Sequence, residues 1–453
     1  MRSEPDTQGS LAACRQAPAE WQDAAVTPTA PRPSGASGLQ AEVGPQWLFL
    51  VILAGLGMVG PFSIDTMFPA FARMGTEFGA SELAMQQVVS VYMLFFAVMS
   101  LVHGPLSDAL GRKPVVVAGT VAYIAASVGC ALAPSLPVLL VFRALQGLSA
   151  GAGVIVSRAM VRDVYADHEA QRVMSHIAMI FGLAPALAPI AGGLLLGWSG
   201  WRGIFWALVG LGIVLLVLVW AFMPETHPAE RRSRLDVRAL GAGIGAVWRN
   251  PHGRRLAFTA MLNNGAMFLF VASAPLFVVN LLGLGENDFW VLFVPLISGL
   301  VIGSWVSGRL AGRMSGSRLA SLGYRISLVA VGAKLVLSLV PATRALPWAV
   351  LPLPVLTFGI ALAFPVLTLA MLDLFPDNRG AASSVQNFLA LLGNTVISGA
   401  IAPALGFSQW ALAAGSLVLI GSGWLLWRRH LAVAPAVPRG PEDAAAYEPI
   451  EDL

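Results

Sequence analysis

Asp65 is the residue in this sequence best placed to do chemistry. It lies inside the apolar run 47–71, with no basic residue nearby in the chain. An acid at the centre of a bilayer costs about 2.5–3.5 kcal/mol on insertion scales. Such a group must face a wet cavity, pair with a base on another helix, or be held as the neutral acid. The neutral form makes it a possible proton carrier; pairing elsewhere would make it structural. Arg143, in the first third of the run 136–160, is the second candidate. A guanidinium stays charged at any accessible pH, so it holds or tunes an acid and does not shuttle protons itself. The other reading is snorkelling to the nearer interface, only a few residues away at Pro137.

Asp108 and Arg112 stand four apart in Gly104-Pro-Leu-Ser-Asp108-Ala-Leu-Gly111-Arg112-Lys113-Pro. Gly104 and Gly111 give the loop its turning freedom. Asp108 can pair with Arg112, or with a helix N-terminus across the bundle, where acids are favoured. Plain topology marking by Arg112 and Lys113 is the alternative. Pro185, Pro189, Gly192 and Gly193 share one apolar run; proline bends such a helix and glycine lets it pack closely. Asn263, Asn264, Gln386, Asn387 and Asn394, with Met67, Phe68, Tyr92, Phe95 and Phe268, could line an amphiphile pocket of apolar walls and few polar groups. Packing or lipid contact is the default for any one of them. Lys334 lies toward one end of its run and can snorkel.

No enzyme is expected. The six histidines show no metal-ligand spacing, and no Gly-x-x-x-x-Gly-Lys-Ser/Thr phosphate loop is present. Cofactors are expected to be absent, which leaves an ion gradient as the energy source. One proton crossing about 100 mV yields roughly 2.3 kcal/mol, which supports about fiftyfold accumulation.

The elements that must position these groups are membrane spans. Of 453 residues, 57% are hydrophobic and 11% charged, far from the balance of a soluble domain. The net charge of +4 is too small to suggest nucleic acid. A bilayer core needs about 20 apolar residues per helix. Twelve such runs are legible: 47–71, 86–105, 114–133, 136–160, 173–197, 203–223, 256–281, 288–309, 321–340, 346–373, 380–403 and 407–427. The chain therefore reads as an all-α integral membrane protein. It divides into a disordered tail 1–45, a six-helix bundle 46–223, a linker 224–255, a second bundle 256–427 and a tail 428–453. The linker is Arg-rich, either an interfacial amphipathic helix or a solvated connector.

Charge orients the spans. The even-numbered connectors carry fifteen Arg or Lys residues, the odd-numbered ones only Arg73, Arg202 and Arg344. The positive-inside rule then puts the even connectors and both tails in the cytoplasm. The loop after the second run also has a degenerate echo after the eighth, Gly308-Arg-Leu-Ala-Gly312-Arg313, with Gly312 where Asp108 stands. Duplicated halves with a site between them are a transporter architecture.

GPLSDALGRKPV closely resembles the loop signature of the major facilitator superfamily. Arg143-Ala-Leu-Gln146-Gly147 with Gly151 looks like its second motif. The run Gly182 to Gly193, Gly200-Trp201-Arg202, Arg158, Arg162-Asp163 and Ser63-Ile-Asp65 are similar to the bicyclomycin/chloramphenicol-resistance type of drug/proton antiporter. The resemblance is dense over 47–223 and rests mainly on span pattern beyond. It implies a twelve-helix major facilitator fold in a bacterial inner membrane. It also implies a monomer that exports small amphiphilic drugs, with protons and the bilayer as partners. Asp65 and Arg143 would then couple transport to protons. Gly104, Asp108, Gly111 and Arg112 would gate the cytoplasmic side, and Pro185, Pro189, Gly192 and Gly193 would seal against proton leak. Ala109 departs from the loop signature, and the departures at Met67, Phe68 and Phe95 leave the substrate open. The alternatives are a specific metabolite exporter or importer of the same fold, or a membrane receptor that no longer transports.

Overall fold

The computed structural model describes residues 45–165, 167–232, 236–311 and 313–433. Nearly all of the expected N-terminal tail, Gly312 of the echoed loop and residues 434–453 lie outside the described residues. Those described contain helices and connectors and no β-strand.

The first half comprises α1 (Gln46–Asp65), α2 (Phe71–Phe78), α3 (Glu82–Ser100), α4 (His103–Leu110), α5 (Arg112–Ala131), α6 (Leu136–Val164) and α7 (Asp167–Phe222). Helix α8 (Val237–Arg249) belongs to the linker. The second half comprises α9 (Pro251–Ala272), α10 (Trp290–Leu310), α11 (Gly316–Leu339), α12 (Leu353–Leu374), α13 (Arg379–Val396), the short α14 (Ala402–Leu405) and α15 (Gln409–Val433).

Among the described residues, eleven helices are long and apolar enough to cross a membrane. Helix α7 accounts for the twelfth crossing. Its 56 residues would stretch about 84 Å as one rod, more than twice the bilayer core. It breaks at Gly200, where φ is 68° and ψ −177°, a conformation open to glycine and costly for other residues. The fifth and sixth spans meet there. The first crossing is also interrupted: α1 ends at Asp65, a 3-10 turn follows at Phe68–Ala70, and α2 continues. Asp65 therefore sits at a break in its span.

The same helix pairings recur in each half. Span three packs on four as nine packs on ten; two packs on four as eight packs on ten. The halves meet where α3 lies on α13 and α7 on α10. Several helix ends differ from the expected runs, two of them instructively. Asn250 caps α9 by accepting from His252 N (2.9 Å) and Gly253 N (3.2 Å). With Pro251 at the first helical position, α9 starts five residues ahead of the apolar run. At the other end α15 continues to Val433, since backbone hydrogen bonding does not stop where hydropathy falls. The linker does hold a helix, α8, with Val247 fully buried and Gly243 against Ala381 of α13.

Candidate functional site

Asp65 and Arg143 are both buried deep in the first half. Asp65 is 4% exposed, and its carboxylate makes no hydrogen bond or ion pair among the described residues. Arg143 is fully enclosed, so it does not snorkel. Nor does it hold a carboxylate. Its Nε donates to Val88 O (2.9 Å), and its Nη1 donates to Ser63 O (3.1 Å) and Gln146 Oε1 (2.8 Å). The guanidinium lies 4.4 Å from the centre of the Tyr92 ring, a favourable cation–π distance. Nη2 has no partner. Arg143 thus clamps the backbone two residues before Asp65 while keeping two N–H donors unspent.

A polar chain extends from this clamp. Gln146 Nε2 donates to Ser127 Oγ (2.7 Å), and the Ser63 and Tyr123 hydroxyls share a hydrogen bond of 2.6 Å. Sequence reading missed Tyr123, Ser127 and the partner role of Ser63. The available signal was three hydroxyl residues inside otherwise apolar runs. Gly147 completes the arrangement: a Cβ there would stand 2.2 Å from Tyr92 O. Only a glycine lets α6 come this close to α3.

The span-five glycines have equally specific neighbours. A Cβ on Gly192 would lie 2.2 Å from Thr66 O, beside Asp65. One on Gly193 would lie 3.0 Å from Glu286 O and Asn287 Oδ1 of the second half. Pro189 is buried and Pro185 half-buried.

At the Arg-rich end, Arg112 pairs with Asp108 (2.5 Å) and Asp163 (3.0 Å) and donates to Ser107 Oγ (2.6 Å). The expected i,i+4 pair is present. The helix N-terminus across the bundle is not its partner, because the nearby N-terminus of α5 is already served by Glu225. That carboxylate accepts from Arg112 N (2.9 Å) and Lys113 N (3.3 Å). Gly111, with φ 103°, must stay bare, since a Cβ would stand 2.6 Å from Glu225 Oε2. Gly104 has open space around it. The echoed loop builds no such cluster from its described residues: Arg309 instead covers the Trp305 ring at 3.8 Å.

The side-chain partners of Arg112 belong to the first half, and its backbone partner Glu225 to the start of the linker. The contacts that join the halves lie at the opposite end. Arg73 grips Glu286 with two bonds (2.7 and 3.2 Å), and Asn280 donates to Glu82 (2.8 Å). Phe68 stacks on Phe293 at 6.2 Å. Gln86 Nε2 donates to Ala272 O (3.1 Å) and Gln87 Nε2 to Gly399 O (3.2 Å). The molecule is closed at this end.

The residues expected to line a cavity separate into two groups. Met67, Tyr92, Asn263 and Phe268 are buried. Tyr92 packs under Arg143 rather than facing a cavity, and Asn263 donates to Ile360 O (3.3 Å). Phe68 is spent on the closed end. Gln386 is 7% exposed with Nε2 unpartnered, and Asn264 reaches Asn394 (3.4 Å). Phe95 and Asn264 are half-buried and Asn387 is exposed. Lys334 does not snorkel: it is 1% exposed and donates to Gln409 Oε1 (2.9 Å). Among the described residues no cluster of His, Cys, Asp or Glu could hold a metal ion.

Residues 47–398 match the Major Facilitator Superfamily. The chain is 28% identical to an uncharacterized MFS-type transporter, YdgK, of Bacillus subtilis, over 84% of this chain and 94% of that one. It is 29% identical to a chloramphenicol resistance protein of Pseudomonas aeruginosa (76% and 82% covered). It is 28% identical to multidrug resistance protein D of Escherichia coli (77% and 87% covered). A bacterial homologue of the human lysosomal transporter Spinster, solved inward-facing and unoccupied, shares the fold at 16% identity. Its TM-score is 0.66, covering 89% of this chain and all of that one.

Proposed function

Because the chain belongs to the major facilitator superfamily, we propose that it exports small amphiphilic drugs or toxicants in exchange for protons. The two halves alternate between an outer-closed form, described above, and an inner-closed form. The positive-inside rule assigns the Arg-rich end to the cytoplasm of a bacterial inner membrane. The proton gradient is the only energy source the reading requires, and a single chain suffices.

One observation carries the proposal: Asp65 is buried at a break in a membrane span with no partner for its charge. Burying a lone carboxylate costs several kcal/mol, so in the outer-closed form it is cheapest as the neutral acid. Its proton leaves when water or substrate reaches it from the open side. Arg143 is a positioning residue. Its hold on Ser63 O fixes the segment carrying Asp65, and its Nη2 keeps two N–H donors unspent in the buried interior. The Arg112 cluster braces the first half while the cytoplasmic ends part.

The test is a drug-sensitivity panel in an efflux-deficient host, with proton uptake measured in inverted vesicles. Asp65→Asn should reach the membrane at normal levels, confer no resistance and move no protons. Wild-type export by that variant would remove Asp65 from the mechanism. Export that ignores the proton gradient would favour an uncoupled metabolite carrier of the same fold.

A further inference from the structure

The closed outer end is not solid. A cavity of about 420 Å³ lies there, within the size range of ligand sites. Phe68, Phe71, Glu82 and Met85 wall it from the first half; Leu276 and Asn280 wall it from the second. It exists only while the outer ends are together, because neither half encloses it alone.

Its chemistry is selective. Phe68 and Phe71 meet edge-to-face at 5.7 Å and back its wall with aromatic rings. Glu82 is exposed and carries the only charge on the walls. Its one polar contact is the Asn280 amide (2.8 Å), which donates a hydrogen bond but does not neutralise the carboxylate. Arg73, the basic residue on the neighbouring helix, is already paired with Glu286. Aromatic walls around an uncompensated carboxylate suit a cation with an apolar body.

We propose that this outer cavity is a second binding site, distinct from the Asp65 region, that takes small amphiphilic cations and holds the halves closed at the outer end. A ligand that binds one form and not the other shifts the population toward it. Such cations therefore inhibit the protein from outside. That inhibition rests on the alternating-access reading; binding at the cavity does not.

Tetraphenylphosphonium is the probe, titrated into the purified full chain in nanodiscs. Glu82→Gln keeps the shape and the Asn280 contact, and should weaken binding about fivefold, the value of one exposed ion pair. Asp65→Asn should bind as wild type does. In a Cys14→Ser background, Ala72→Cys on the exposed wall should react with an impermeant maleimide more slowly when the probe is present. The neutral analogue triphenylphosphine oxide should give little protection. Unchanged affinity in Glu82→Gln, or labelling of Ala72→Cys that the probe does not slow, would overturn the site. Protection in a chain found to lack proton exchange would support the site while refuting the exchange reading.

Discussion

Gly192→Ala tests the link between span five and Asp65. The added methyl would stand 2.2 Å from Thr66 O and 2.9 Å from the Thr66 carbonyl carbon. An ordinary carbon–oxygen contact needs about 1 Å more. Both obstructing atoms are backbone, so no rotamer change relieves the overlap; α7 must move away from α1. Overpacking of this kind costs about 1–3 kcal/mol. Gly197, one turn and a half further along α7, provides the control, since a Cβ there meets nothing within 4 Å. Alanine at 197 should gain the roughly 0.5–1 kcal/mol of helix propensity that glycine forgoes. The two variants should therefore differ by about 1.5–4 kcal/mol in thermal unfolding measured side by side. Displacing Thr66 also displaces Asp65, so Gly192→Ala should lose proton-coupled export while Gly197→Ala keeps it. If Gly192→Ala melts and exports like Gly197→Ala, α1 and α7 are not in the contact described, and the positioning argument for Asp65 fails with it.

Three further outcomes are expected. Arg143→Lys keeps the charge but cannot reach Val88 O, Ser63 O and Gln146 together, leaving buried acceptors that each cost about 1–3 kcal/mol. It should lower thermal stability and abolish drug-dependent proton uptake. Glu286→Gln removes a half-exposed ion pair worth about 0.5–1 kcal/mol, so the outer-open population should rise two- to fivefold; a cysteine placed at buried Leu276 should label faster by that factor. Lys334→Met replaces a sealed cation that has no acid beside it. It should be neutral or stabilising by about 1 kcal/mol in thermal unfolding, with export unchanged.

The sequence by itself determined the class of molecule, the places where the chain crosses the bilayer and the chemically suspicious positions. Each of these depends on a residue's own transfer from water to oil. Hydropathy needs no partner to be read, so Asp65 and Arg143 stood out as charges in apolar runs, and Asp108 and Arg112 as a pair within one turn. The break between the fifth and sixth spans showed as the gap between runs 173–197 and 203–223; that one backbone angle at Gly200 makes it did not, because hydropathy carries no dihedral information. Partners were beyond reach for a different reason. Arg143 bonds to Ser63, 80 positions away, and Glu225 caps a helix 113 positions before it; nothing local marks either acceptor. The expected cavity residues divided for a third reason. Lipid and a neighbouring helix are equally apolar, so composition cannot tell Tyr92, buried under a guanidinium, from Phe95, which keeps accessible surface. Only the packed helices decided that Arg143 holds backbone rather than an acid, that Glu225 serves α5, and that the halves close at the end away from the arginines. These are relations between distant segments, and their geometry comes into being when the bundles assemble.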